Sequence, residues 1–269
     1  MKRIVGLLLV VVGSQFGCVS SESGQGVSYQ QVVELPSRSA TSIYRYGESP
    51  LQVIHHYAAA QPARTALVFV HGGCWLQAYD ISHSKGWMTH LADAGIDVYG
   101  IEYRRTGDEG GGWPGTKNDV VAALNWLDSH FKQAGQPDKL VVAGHSAGGH
   151  LALLTASKTT LNADKVIGLA AITDITSYAE GTNSCQQAVP AFMGGEPQHR
   201  PDAYQQAQPD FNQINTKVTL LQGQADTIVP VGQASVAGVQ TELVEGAGHF
   251  DWLYPQSPAF SLFYNQVIQ

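Results

Sequence analysis

Five short stretches of this chain are rich in β-branched and other apolar residues: 53–57, 66–70, 140–143, 166–172 and 218–221. Each is too short for an ordinary helix, and the last four lack the apolar–polar alternation of a sheet with one wet face. Strands of that kind are buried on both faces, as in parallel sheets covered by helices. Helical patterns fall between them. Val120, Leu124, Leu127 and Phe131 are spaced 4, 3 and 4 apart, with Asp119, Asn125 and Asp128 turned away from that stripe. Residues 85–94 and 147–156 also read as helices. The alternation predicts an α/β domain with a mostly parallel, doubly wound sheet. Ligands of such sheets sit beyond the carboxyl ends of the strands, so the loops that follow strands are where function is to be sought.

The chain has 269 residues, of which 43% are hydrophobic and 14% charged. That composition suits one globular domain and excludes a disordered chain. A domain of this size builds its core without a metal or a disulfide scaffold. Three cysteines, Cys18, Cys74 and Cys185, are too few and too scattered for a zinc site or a disulfide framework. The net charge is −7 without a basic run, which argues against a nucleic-acid partner. No His-x-x-x-His pair appears, so no metal is expected. The Gly110-Gly111-Gly112 cluster lacks the Lys-Ser/Thr of a phosphate loop and there is no dinucleotide fingerprint, so no cofactor is expected either.

Residues 1–20 read as an export signal. Lys2-Arg3 precede nine uninterrupted apolar residues, Ile4 to Val12, where a membrane-spanning helix needs ~20. Two exits follow. Residues 14–18 (SQFGC) are similar to a bacterial lipoprotein box, which would lipidate Cys18 and anchor the protein to a membrane. The other exit is cleavage after Ser20, which would release it into the periplasm. Residues 21–40 then form a leader with a flexible, polar start, and 41–269 the domain. Within that domain, 174–215 holds four prolines and Gly194-Gly195 but no strand pattern. A structureless loop of this length is unusual in a compact fold. The segment is expected to be a small cap with a short helix near 186–193.

Chemistry-bearing residues lie in the loops after strands. The strand ending near Ala143 runs into Gly144-His145-Ser146-Ala147-Gly148-Gly149 and then an apolar helix, the strand–turn–helix setting that a G-x-S-x-G nucleophile requires. Ser146 projects at the helix N-terminus, where the dipole favours developing negative charge. A second strand ends in His71-Gly72-Gly73-Cys74-Trp75. Acyl transfer creates an oxyanion that needs two main-chain N–H donors, here Ala147 and either Gly73 or Cys74. A serine becomes nucleophilic when a histidine takes its proton and a carboxylate orients that histidine. Asp226 and His249 follow Ser146 in chain order, each just past a strand. Asp174 and Asp251 compete with Asp226, but Asp174 falls in the cap and Asp251 is too close to His249 to turn back onto its ring. His145 and His150 are expected to pack or face solvent.

HGGCW at 71–75, EYRR at 102–105, GGGWPGTKNDV at 110–120, GHSAGGHLAL at 144–153, GQADTIVP at 223–230 and GAGHFD at 246–251 together resemble the α/β-hydrolases. The likeness narrows to the branch of small carboxylesterases, kynurenine formamidase-like enzymes and prolyl-oligopeptidase-type catalytic domains, and covers roughly 50–269. It implies Ser146 as nucleophile, Asp226 as acid, His249 as base, and an oxyanion hole at Gly73, Cys74 and Ala147. Cys74 departs from the pattern, because that slot often holds a larger or aromatic residue. The expected activity is hydrolysis of small carboxylic esters through an acyl-enzyme. An arylformamidase or other small-amide hydrolase is the alternative, and a non-catalytic binding member of the fold is the competing class. The small cap and short loop at Cys74 predict short acyl groups, with Trp75, Trp113, Phe250 and Trp252 as candidate pocket walls.

Overall fold

The computed structural model describes residues 26–269. The expected export signal over 1–20, with its apolar run and Cys18, lies outside the described residues. One sheet of eight strands is built from β1 (Ser42–Arg45), β2 (Val53–Tyr57), β3 (Thr65–Val70), β4 (Asp97–Ile101), β5 (Lys139–His145), β6 (Lys165–Leu169), β7 (Lys217–Gly223) and β8 (Gln240–Val244). Their order is β1-β2-β4-β3-β5-β6-β7-β8. From β4 to β8 every pairing is parallel, while β1 and β2 form an antiparallel hairpin whose second strand runs antiparallel to β4.

Burial on both faces is visible residue by residue in β3. Ala66, Val68 and Val70 enter one apolar cluster, and Leu67 and Phe69 enter the other. The first cluster takes in α3 (Gly115–Ala134) and α4 (Ala147–Thr155), and the second takes in α1 (Tyr29–Val33), α2 (Lys85–Asp93) and α9 (Pro258–Ile268). Four short helices fill the segment between β6 and β7: α5 (Ile175–Tyr178), α6 (Ser184–Gln187), α7 (Val189–Met193) and α8 (Pro201–Gln206). These make up the expected cap, with two helices where one was expected near 186–193.

Several local expectations are corrected. β4 is absent from the strands read from the sequence, and its fourth residue, Gly100, weakens its strand pattern. A Cβ there would press against Ile81 and the Met88 sulfur of α2, so the glycine lets the helix lie close to the sheet. β6 stops at Leu169, where Ala170 takes φ +45°. Asp119 and Asp128 are buried rather than turned to water. Asp119 receives two hydrogen bonds from the Arg104 guanidinium, at 2.9 and 2.7 Å, and one from Gln52, which compensates its desolvation. From residue 26 on, the segment read as a leader is docked. Ser28 caps α1 with a reciprocal Gln31 bond, and Val32 is buried in the second cluster.

Candidate active site

The chain leaves β3 for β4 on one side and returns to β5 on the other, so the topological switch point lies at the carboxyl ends of β3 and β5. Val70 and Gly144 are register partners there, which sends the His71-Gly72-Gly73 loop and the serine turn out of the sheet side by side. Ser146 occupies φ +56°, ψ −122°, a conformation that costs a residue with a side chain on the order of 1–3 kcal/mol. The turn is held by Ser146 N–H donating to the Leu169 carbonyl at 2.9 Å and by His150 N–H donating to the Ser146 carbonyl at 3.0 Å. Gly144 and Gly148 are obligatory here. A Cβ on Gly144 would collide with the Gly148 carbonyl, and one on Gly148 with the carbonyls of Val70 and His71.

Gly72 approaches so closely that a Cβ on it would lie 3.2 Å from the Ser146 Cβ. Gly73, Cys74 and Trp75 all have positive φ, at +110°, +53° and +57°. Among the described residues neither the Gly73 nor the Cys74 N–H has an acceptor. Ala147 opens α4 directly after Ser146. The close approach of Gly72 sets the loop of Gly73 and Cys74 against the turn of Ser146 and Ala147.

Asp226 and His249 are brought together. His249 Nδ1 lies 2.8 Å from Asp226 Oδ2, with both side chains buried. The other carboxylate oxygen accepts the Ile228 and Val229 N–H groups at 2.8 and 2.9 Å, and Gln222 Nε2 donates to Oδ2 at 3.2 Å. With Nδ1–H committed to Asp226, His249 presents Nε2 as its basic nitrogen. His145 places the base loop against the serine turn, its Nε2 being 2.9 Å from the His249 carbonyl with ring centroids 4.6 Å apart. Burial and the nearby His249 push the His145 pKa well below the usual histidine value. It is therefore a neutral donor to that carbonyl. Asp174 caps α5, accepting from Thr176 and Ser177 N–H, and Asp251 binds the backbone of Gly248; neither competes with Asp226.

Two supports were not assigned from the sequence. Glu102, directly after β4, accepts from Ile81 N–H and Tyr103 N–H at 2.9 Å each, pairs with Arg105 at 3.2 Å and lies 3.2 Å from His71 Nε2. Burial raises its carboxyl, but His71 and Arg105 outweigh that and hold it below its usual value. Tyr103 stacks on the His71 ring and its hydroxyl donates to the His71 carbonyl at 2.7 Å. Motif segments 71–75 and 102–105 are thus one unit that fixes the loop. The second support is a disulfide between Cys74 and Cys185, which ties that loop to α6 of the cap and engages the Cys74 side chain. Three cysteines had suggested no disulfide framework, and one bridge spanning 111 residues is what forms.

Of the aromatic residues suggested as pocket walls, Trp75 and Trp252 are wholly buried in the two core clusters, while Trp113 and Phe250 remain half-buried. A cavity of about 660 Å³ opens between the cap and the loop after Asp226, lined by Asp174, Tyr178, Phe211 and Gln233. Ser146 and His249 do not line it. No group of His, Cys, Asp and Glu among the described residues is placed to hold a metal ion.

Residues 53–238 match the BD-FAE family model. Esterase LipC of Mycobacterium tuberculosis is 27% identical over 260 residues, covering 82% of this chain and 64% of that protein. Kynurenine formamidase of Meyerozyma guilliermondii is 27% identical over 120 residues, covering 43% of this chain and 42% of its own. The chain thus spans less than two thirds of these curated relatives. Esterase B from Lactobacillus rhamnosis, a solved structure, superposes with a TM-score of 0.69 at 19% identity, covering 87% of this chain and 86% of that one. The fold is therefore that of the α/β-hydrolases, and the chain belongs to the BD-FAE family.

Proposed function

We propose that the protein is a serine hydrolase that cleaves small carboxylic esters through an acyl-enzyme. The observation that carries this reading is the buried His249–Asp226 pair, 2.8 Å apart, on the rim where Ser146 sits in its strained turn. In this mechanism His249 Nε2 takes the Ser146 proton as Oγ attacks the ester carbonyl, and Asp226 stabilises the imidazolium. The carbonyl oxygen becomes an oxyanion that accepts from the N–H groups of Ala147 and of Gly73 or Cys74. His249 then returns the proton to the departing alkoxide, leaving Ser146 acylated. Water, activated by the same histidine, attacks the acyl-enzyme and releases the acid.

Short acyl esters such as acetate and butyrate are the proposed substrates. The small cap supports this, being clamped by the Cys74–Cys185 bridge, the Trp75–Phe192 stack at 4.8 Å and the bond from Trp113 N–H to the Phe192 carbonyl. A formamidase is the second reading, favoured by the kynurenine formamidase among the relatives. We further propose export, with anchoring if Cys18 is lipidated. The Lys2-Arg3 and apolar run support it, as does a disulfide, which belongs to oxidising compartments. Rates across p-nitrophenyl esters of rising chain length, with N-formylkynurenine alongside, test the substrate. A maximum at long chains overturns the short-acyl reading, and a formamide rate far above the best ester selects the formamidase. Fractionation of cells expressing wild type and Cys18→Ser tests the location, and cytosolic retention overturns export.

A further inference from the structure

We propose that the N-terminal strap, residues 26–33, is a working part of the site, and that Tyr29 on it is a specificity-determining wall of the substrate mouth. This rests on the hydrolase reading above.

The strap is bound to the loop that carries the base. Asp251 Oδ2 accepts N–H groups from Val27 and Gly248 at 2.9 Å each, so one carboxylate oxygen joins strap and loop. Gly26 lies flat on that loop: a Cβ there would sit 2.7 Å from Asp251 Oδ2 and 2.8 Å from the Gly248 nitrogen. The strap then delivers the Tyr29 ring between the two loops that flank Ser146. On one side it meets Phe250, the neighbour of His249, edge-on at 5.6 Å. On the other it meets Tyr79 edge-on at 5.9 Å, and the Tyr79 Cβ packs directly over Gly73, where no side chain fits. Tyr29 therefore bridges the base loop and the oxyanion loop.

Tyr29 and Tyr79 are each 36% exposed and Phe250 is only half-buried, so the three rings form an open, apolar ledge. A substituent reaching outward from an ester held at Ser146 between these loops meets that ledge. Aromatic rings supply such contact area with little entropy to lose.

The full-length protein with Tyr29→Ala, Tyr29→Phe or Gly26→Ala is assayed on two series: p-nitrophenyl esters of increasing acyl length, and acetate esters of alcohols of increasing size. Removing the ring changes the preference between the bulkiest and the smallest member of one series by roughly fivefold or more, mainly through KM. Tyr29→Phe keeps the wild-type ordering. Gly26→Ala, which pries the strap off Gly248 and so displaces an intact Tyr29 ring, shifts the same series as Tyr29→Ala. General loosening of the fold lowers all members together and does not reorder them. Both series keeping their wild-type order in Tyr29→Ala, with Ser146 still labelled by a fluorophosphonate, overturns the inference. Retention of turnover by Ser146→Ala in parallel overturns the hydrolase reading instead.

Discussion

Cys185, on the second helix of the cap, is disulfide-bonded to Cys74, which follows Gly73 in the loop beside Ser146. The bridge closes over 111 residues of chain and includes the whole serine turn within that loop. Two consequences follow from one bond. The cap is tied to the loop after β3, and the main chain proposed to bind the oxyanion is tethered to it.

Cys185→Ser is expected to lower stability by about 2–4 kcal/mol, the usual scale for a native bridge closing a long loop, and to reduce kcat for ester hydrolysis. Thermal denaturation with and without reductant checks the first part. Reductant lowers the melting temperature of wild type and leaves the variant unchanged. Equal melting of wild type in both conditions contradicts the bridge.

Ser146→Ala is expected to remove turnover, with kcat falling by several orders of magnitude while the fold survives, since triad members act as a unit. The strained φ of +56° adds a second outcome. Ser146→Gly melts higher than Ser146→Ala, by about 1 kcal/mol of stability, because glycine occupies that region without strain. Calorimetry on the two inactive variants decides it.

Gly148→Ala is expected to disrupt the site and destabilise the protein together. The added methyl collides with the backbone carbonyls of Val70 and His71, neither of which can rotate away. The start of α4 must shift from the oxyanion loop. Activity and melting temperature, measured on the same preparation, should both fall.

Acid is expected to destabilise the protein before its carboxylates are titrated. Burial pushes His83 and His150 down to about 4 from the ordinary 6.5. The unfolded chain therefore binds more protons between those values. The stability these neutral histidines confer is present above pH 6.5 and is lost as pH falls towards 4. His150 Nε2 lies 2.8 Å from the Ala207 carbonyl of the cap. His150→Gln, which keeps a donor but does not titrate, should flatten melting temperature against pH in that window. An unchanged slope contradicts the assignment.

Much of the fold and site can be read from the chain alone because the signals are local. Continuous apolar strands such as Ala66–Val70 require cover on both faces, and Gly144-x-Ser146-x-Gly148 between a strand and a helix has few alternatives to a tight turn. Chain order and position after a strand also single out Asp226 and His249. Other features depend on partners far away in sequence. Asp119 reads as a solvent-facing helix residue until Arg104 and Gln52 arrive to pair with it. Gly100 weakens its own strand because α2 needs the space. Cys74 and Cys185 become partners only when the cap meets the loop after β3. Asp251 and Tyr29 acquire roles only when the N-terminal strap, more than two hundred residues before Asp251 in sequence, docks on the base loop. Backbone conformation and burial pattern follow from local steric and solvation terms that a short window of sequence records. Pairings across the sheet and cap are set by which surfaces meet once those elements pack, and no local window contains that information.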